Sequence, residues 1–164
     1  VIAFADSTKH VHRIPVSDES EVEQGSTPIH VPKTPTSMSF AQDGALWVTD
    51  RFGDVLRDGR VVCGTVSTAT HIAVLPDGRI AVADRDEKVR IFKDTTVSGE
   101  PFYELDGFWL GHREYVSALA VAGSRLVSGG GDRWLCVWDG AALPGTHSAP
   151  PQIALGPGTH GVMQ

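Results

Sequence analysis

Apolar residues in this chain fall in short runs that alternate with polar residues or stand together at strand length, and each run ends in turn chemistry. Ser39-Phe40-Ala41 leads into Gln42-Asp43-Gly44. Ala45-Leu46-Trp47-Val48 follows, then a turn over Asp50 to Gly53, then Asp54-Val55-Leu56. Period-two alternation bounded by Asp-Gly and Gly-containing turns predicts short β-strands joined by hairpins. No stretch sustains the 3.6-residue period of an amphipathic helix, so the pattern predicts an all-β chain.

The pattern also repeats. Phe40 to Arg51 falls on Val74 to Arg85 at a constant offset of 34, superposing two Asp-Gly turns and two Asp-Arg turns. An offset of 46 lays Ile80 to Asp86 on Leu126 to Asp132, and Val89-Arg90-Ile91-Phe92 on Leu135-Cys136-Val137-Trp138. Ala5 to Ile14 has the turn-then-strand shape of Ala83 to Phe92, and Ile153-Ala154-Leu155 reads as the start of a fifth copy. Strand-only units at this period point to a β-propeller, whose blades take roughly 40 to 45 residues each and whose rings hold about four to eight blades. The 164 residues therefore hold three to four blades of an incomplete ring. They are a partial copy at 1–14, copies at 36–57, 70–93 and 111–140, and Pro-, Ser- and Gly-rich loops at 15–35 and 143–157. One small sheet leaves an apolar face wet, so the copies are expected to stack face to face.

Composition narrows the function classes. The start at Val1 has neither a basic segment nor a long apolar one, so both ends read as cuts in a longer, soluble protein. A net charge of −6 argues against this segment being the main phosphate-gripping surface of a nucleic-acid binder. Cys63 and Cys136 form no CxxC pair, which leaves no zinc signature and favours a reducing compartment. His71, His147 and His160 stand isolated and read as solvated or hydrogen-bonded side chains rather than ligands.

The third full copy carries Gly111-His112, then Val116 to Val121, then Leu126-Val127-Ser128-Gly129-Gly130-Gly131-Asp132, then Leu135-Cys136-Val137-Trp138-Asp139. This resembles the WD repeat, whose rings commonly have seven blades. The resemblance implies a structural hydrogen-bonded tetrad of His112, Ser128, Asp132 and Trp138. Buried polar groups of these types each cost about 1 to 3 kcal/mol if unpaired, which is the physical reason to expect them to meet. The same residues could be read as a Ser-His-Asp hydrolase, but Ser128 lies in no GxSxG elbow. Gly129 to Gly131 lacks the Lys and helix of a phosphate-binding loop and reads as a tight turn.

Two further stretches are more specific. Ala83-Asp84-Arg85-Asp86-Glu87-Lys88-Val89-Arg90 and Leu110-Gly111-His112-Arg113-Glu114-Tyr115-Val116-Ser117, together with Ser128 to Asp139, resemble the WD-repeat non-catalytic subunit of tRNA (guanine-N7-)-methyltransferase. The likeness extends over roughly residues 1 to 140, including Thr49-Asp50-Arg51-Phe52-Gly53-Asp54-Val55. It implies a platform without catalysis or cofactor of its own. The platform would form a heterodimer with the methyltransferase subunit, which binds S-adenosylmethionine and modifies a variable-loop guanine. Contact with tRNA would run mainly through that partner, and the location would be the nucleus. Arg85, Asp86, Glu87, Lys88, Arg113 and Glu114 are the expected docking residues, with Trp134 a candidate anchor. Two alternatives stand beside this. One is a WD-repeat scaffold for another complex. The other is a gluconolactonase-like metal-dependent hydrolase, in which Asp50 and Asp84 would be oxygen ligands for a divalent cation.

Overall fold

A computed structural model describes residues 1–15, 27–141 and 150–155. The described residues form antiparallel β-sheets and contain no α-helix. Blade I holds β1 (Ile2–Ala5), β2 (His10–Ile14) and β3 (Ile29–His30). Blade II is the four-stranded meander β4 (Pro35–Phe40), β5 (Leu46–Asp50), β6 (Asp54–Arg57) and β7 (Arg60–Gly64). Blade III runs through β8 (Ala69–Val74), β9 (Ile80–Asp84), β10 (Lys88–Asp94) and β11 (Tyr103–Leu110). Blade IV runs through β12 (Val116–Ala122), β13 (Arg125–Gly130), β14 (Trp134–Asp139) and β15 (Gln152–Ala154).

Successive side chains of a strand point to opposite faces, and here both faces are apolar. In β5, Leu46 and Val48 join Val11, Val31 and Leu56 between blades I and II, while Trp47 points the other way. Trp47 packs with Val55, Ile72, Ile80, Val82 and Tyr103 between blades II and III. In β9 the same alternation sends Ile80 and Val82 toward blade II, and Ala81 and Ala83 toward blade IV. There they meet Leu119, Leu126 and the stacked pair Trp109 and Trp138, whose ring centroids lie 5.5 Å apart. Each inter-blade layer is thus built from alternate residues of two neighbouring sheets. Burying a side chain of this size contributes about 1.5 to 3 kcal/mol.

The innermost strands β4, β8 and β12 are also tied by hydrogen bonds between blades. The Ile72 N–H donates to Ser37 Oγ at 3.2 Å, Thr70 Oγ1 donates to the Val116 carbonyl at 2.6 Å, and the Leu119 N–H donates to His71 Nδ1 at 2.8 Å. An Nδ1 that accepts this bond carries no proton, so the ring is neutral and protonated at Nε2.

The outermost strands depart from the sequence expectation. The copies expected at 36–57, 70–93 and 111–140 occupy 35–64, 69–110 and 116–154 as sheets. Ile153-Ala154 does not open a fifth copy. It lies in β15, which pairs with the edge of β14 in the register Trp134↔Ala154 and Cys136↔Gln152. The cause is the free N–H and C=O row that a three-stranded blade would leave on β14. Ile29–His30, inside the loop expected at 15–35, closes blade I on β2 in the same way. Residues 16–26 of that loop, and residues 143–149 and 156–157 of the loop expected at 143–157, lie outside the described residues.

Burial lowers the His71 imidazole below its ordinary value of 6.5, with the Leu119 N–H acting against it. Below that value the unfolded chain binds a proton that the folded one refuses. Stability is therefore full above about pH 6.5 and falls as the pH drops through the lowered folded value. The melting midpoint of the full-length protein is expected to fall between pH 7.5 and 5.5, and to fall less in His71→Asn, which keeps an acceptor but does not titrate. Identical pH dependence in the two proteins, followed by circular dichroism, would remove His71 from this role.

Candidate partner-docking face

In a meander the turn between the second and third strands and the connection to the next blade lie at the same end of the sheet. That end of blades I to IV therefore gathers the turns 6–9, 51–53, 85–87 and 131–133 with the connections 31–34, 65–68 and 111–115. The two sets are stitched together by backbone bonds. The N–H groups of Arg51, Arg85 and Gly131 donate to the carbonyls of Thr34, Thr68 and Tyr115 at 3.0, 3.1 and 3.1 Å. The approach is close enough that Gly53, at φ +92°, could not carry a Cβ, which would sit 2.5 Å from the Thr65 carbonyl oxygen.

An aspartate locks each turn from inside. Asp50 Oδ1 accepts the N–H groups of Phe52 and Asp54, Asp84 Oδ1 that of Asp86, Asp132 Oδ1 that of Trp134, and Asp6 Oδ1 those of Thr8 and His10. These Asx-type bonds pre-order the turn and point its remaining side chains outward. The second carboxylate oxygen needs its own partner, and the blades solve this differently. His12, six residues after Asp6, meets it in blade I at 2.8 Å. Arg90, six residues after Asp84, meets it in blade III and reaches Asp86 Oδ2 at 3.1 Å as well. In blade II the position six residues after Asp50 is Leu56, and Asp50 Oδ2 is buried without a hydrogen-bond partner.

Blade IV uses the tetrad. His112 Nδ1 lies 3.0 Å from Asp132 Oδ2, His112 Nε2 lies 2.7 Å from Ser128 Oγ, and the Trp138 indole N–H donates to Ser128 Oγ at 2.8 Å. The partners fix the direction of the chain: Trp138 donates to Ser128, whose hydroxyl donates to His112 Nε2, whose Nδ1–H donates to Asp132. Burial works against ionisation of Asp132. The N–H of Arg113, the His112 ring and the N–H of Trp134 outweigh it and hold the carboxyl below its ordinary value. With the hydroxyl of Ser128 committed at both ends to ring nitrogens, the group serves as a brace.

The expected docking residues all lie at this end. Arg85, Glu87, Arg113 and Glu114 are exposed, and Lys88 is half-buried at the start of β10. Asp86 is half-buried and spends its carboxylate on Arg90. The Glu114 carboxylate lies against Gly131, bringing the 111–115 connection beside the neighbouring turn. Trp134 is half-buried on β14, paired with Ala154. Arg90 was absent from the expected set. Its guanidinium is buried between Asp84, Asp86 and the Phe108 ring, 5.2 Å from that centroid, and orders the charged turn from beneath. The repeat register would have revealed it, since Arg90 and His12 occupy the same place relative to their aspartates.

The metal-hydrolase alternative finds no ligand set. Asp84 is ion-paired and Asp50 caps its own turn. Among the described residues no three His, Cys, Asp or Glu side chains gather as they would around a cation. Residues His147 and His160 lie outside the described residues.

Residues 58–149 match a family profile described as the tRNA methyltransferase TRM82 WD40 domain. The chain is 42% identical to a "tRNA (guanine-N(7)-)-methyltransferase non-catalytic subunit" of Caenorhabditis elegans over 66% of its own length and 29% of that protein's. It is 36% identical to the TRM82 subunit of Eremothecium gossypii, covering 66% of this chain and 27% of that one. It is 33% identical to the WDR4 subunit of Homo sapiens, covering 74% and 32%. The chain thus spans between 27% and 32% of the length of these curated relatives. Among solved structures it is similar in fold to U3-55K, at a TM-score of 0.58 and 23% identity over 76% of this chain and 40% of that one. It is also similar to the RRP9 WD40 repeats, at 0.53 and 21% over 84% and 41%.

Removing the Ser128 hydroxyl takes one hydrogen bond from the Trp138 indole N–H and one from His112 Nε2 together. Ser128→Ala is expected to destabilise the full-length protein by about 2 to 4 kcal/mol, read from the urea midpoint at constant slope. A loss under about 0.5 kcal/mol would mean that the tetrad braces nothing.

Proposed function

The chain belongs to the family of the tRNA methyltransferase TRM82 WD40 domain, and on that premise we propose that its parent protein is the non-catalytic subunit of a tRNA (guanine-N7-)-methyltransferase. In this reading the propeller holds the methyltransferase subunit in a heterodimer. That subunit binds S-adenosylmethionine and forms N7-methylguanosine in the tRNA variable loop. The propeller adds no cofactor and no reacting group, and the complex works in the nucleus.

The observation that carries the reading is the mixed-charge set at the turn end of blades III and IV. Arg85 and Glu87 on one turn and Lys88 at the start of β10 adjoin the connection that carries Arg113 and Glu114, since Lys88 pairs with Leu110 at the end of β11, over a rigid base made by Arg90 and the tetrad. Side chains of both signs on pre-ordered turns suit a protein partner of complementary pattern. They select register and orientation while the ordering cost has already been met within the fold. Exposed ion pairs add little to stability, so the set has small value to the propeller itself.

The test is co-expression of the full-length chain with the catalytic subunit from the same organism, followed by co-purification and an assay of tRNA N7-methylation. Wild type is expected to co-purify and to be active. Lys88→Glu and Glu114→Lys are each expected to weaken association by roughly fivefold or more, lowering methylation in step and leaving the melting midpoint unchanged. Absence of any association in the wild type would sink the methyltransferase role.

A further inference from the structure

The turn end divides into two halves of different chemistry. Over blades III and IV the charges are mixed. Over blades I and II they are cationic, with Lys9 on the 6–9 turn, Lys33 on the 31–34 connection and Arg51 on the 51–53 turn. Among the described residues none of these three side chains pairs with a carboxylate. At the opposite end of the blades, Arg13, Arg57, Arg60, Arg79 and Lys93 each meet one. The carboxylates closest in sequence to the three cations form no ion pair with them among the described residues. Asp6 and Asp50 cap their own turns, and Asp54 is half-buried at the start of β6.

Phe52 stands beside two of these cations. The residue is 63% exposed, with Lys33 Nζ over its ring at 5.0 Å and the Arg51 guanidinium at 5.9 Å from the centroid. The turn that carries it is held by side-chain and backbone hydrogen bonds. Asp50 accepts the N–H of Phe52 itself at 2.8 Å, the Arg51 N–H donates to Thr34, and Gly53 fits only as glycine beneath Thr65. Folding gains little from displaying a phenyl ring in water on a locked turn, only the weak attraction of exposed cation–π contacts. Binding gains more, because a rigid aromatic loses little freedom when a flat partner stacks on it.

We propose that Phe52 is a stacking platform for an unpaired RNA base, with Lys33 and Arg51 taking the flanking phosphates and Lys9 extending the cationic track. Every base has a face that stacks on an aromatic ring, and the two cations that now lie over the ring are long enough to swing onto the phosphates of a stacked nucleotide. The site would let the propeller hold RNA directly, beside and separate from the mixed-charge set that faces the protein partner. The choice of tRNA as a natural ligand rests on the platform role proposed above; the stacking site rests on the turn geometry alone.

Fluorescence anisotropy with the full-length protein, alone and in complex with its methyltransferase subunit, tests this with two labelled probes. These are an unmodified tRNA transcript and an oligouridylate of about 12 nucleotides, within the range one such site covers. Phe52→Ala is expected to weaken oligouridylate binding about tenfold, and Phe52→Trp to restore it. Lys33→Ala with Arg51→Ala is expected to flatten the dependence of log affinity on log salt by about 1 to 2. All three proteins should melt as the parent does, since the side chains are exposed. Unchanged binding in Phe52→Ala overturns the proposal. Equal competition by polyglutamate of matched charge also overturns it and assigns the patch to an acidic protein segment. If wild type fails to co-purify with the methyltransferase subunit, the platform role fails, while the anisotropy of the chain alone still decides the RNA site.

Discussion

Everything in this structure follows from sheets that are apolar on both faces. A solvated β-sheet alternates apolar and polar side chains, with one face wet. Here β5 and β9 are buried at every position, so each central strand needs a neighbouring blade on either side. Alternation then divides one strand between two cores, as Trp47 and Val48 do. Once the faces are used for stacking, the sheet ends are what remains for recognition. The turns there can vary in charge and shape without touching the layers that hold the blades together.

A second constraint acts at those ends. Each turn is ordered by an aspartate whose carboxylate is drawn into the fold, and a buried carboxylate demands partners for both oxygens. Blade I answers with His12, blade III with Arg90 and blade IV with His112, and blade II leaves Asp50 Oδ2 without one. In blade III burial pushes the Asp84 carboxyl upward while the Arg90 guanidinium pulls it down. That opposition is typical of a buried pair whose worth lies more in fixing geometry than in net stability. These answers differ in chemistry, but the consequence is shared. The capping aspartates turn inward, and Arg51 and Arg85 of the same turns are left facing solvent.

Much of this was legible in the chain. The offsets of 34 and 46 residues located the central strands, and the spacing of Gly111-His112, Ser128, Asp132 and Trp138 marked out four groups that the structure brings within hydrogen-bonding distance. The outer strands were not legible. Arg60–Gly64 and Gln152–Ala154 bury little, so they lack the apolar signature that betrays a central strand. Their pairing is dictated by the open edges of β6 and β14 rather than by their own composition. Arg90 was missed for the opposite reason. An arginine within an apolar strand reads as an interruption until the repeat register sets it opposite Asp84, and Asp86, taken as part of the docking surface, is drawn inward by that same guanidinium.

Net charge describes the molecule as a whole and not any one of its faces. A total of −6 speaks against a nucleic-acid surface when charge is spread evenly, and here it is not. Many of the acidic groups sit at the end of the blades where Asp43, Asp58, Asp77, Asp106 and Glu100 neutralise the basic residues beside them, or are folded into turn caps such as Asp6 and Asp50. Screening confines the effect of exposed charges to about 8 to 10 Å at physiological salt. A ligand arriving at the turn end of blades I and II therefore feels Lys9, Lys33 and Arg51 rather than the molecular total. Over blades I and II the two signs separate because the Asx-type caps there draw Asp6 and Asp50 into their own turns. The cationic patch is thus a by-product of the rule that orders the turns, and Phe52 is what makes that patch selective.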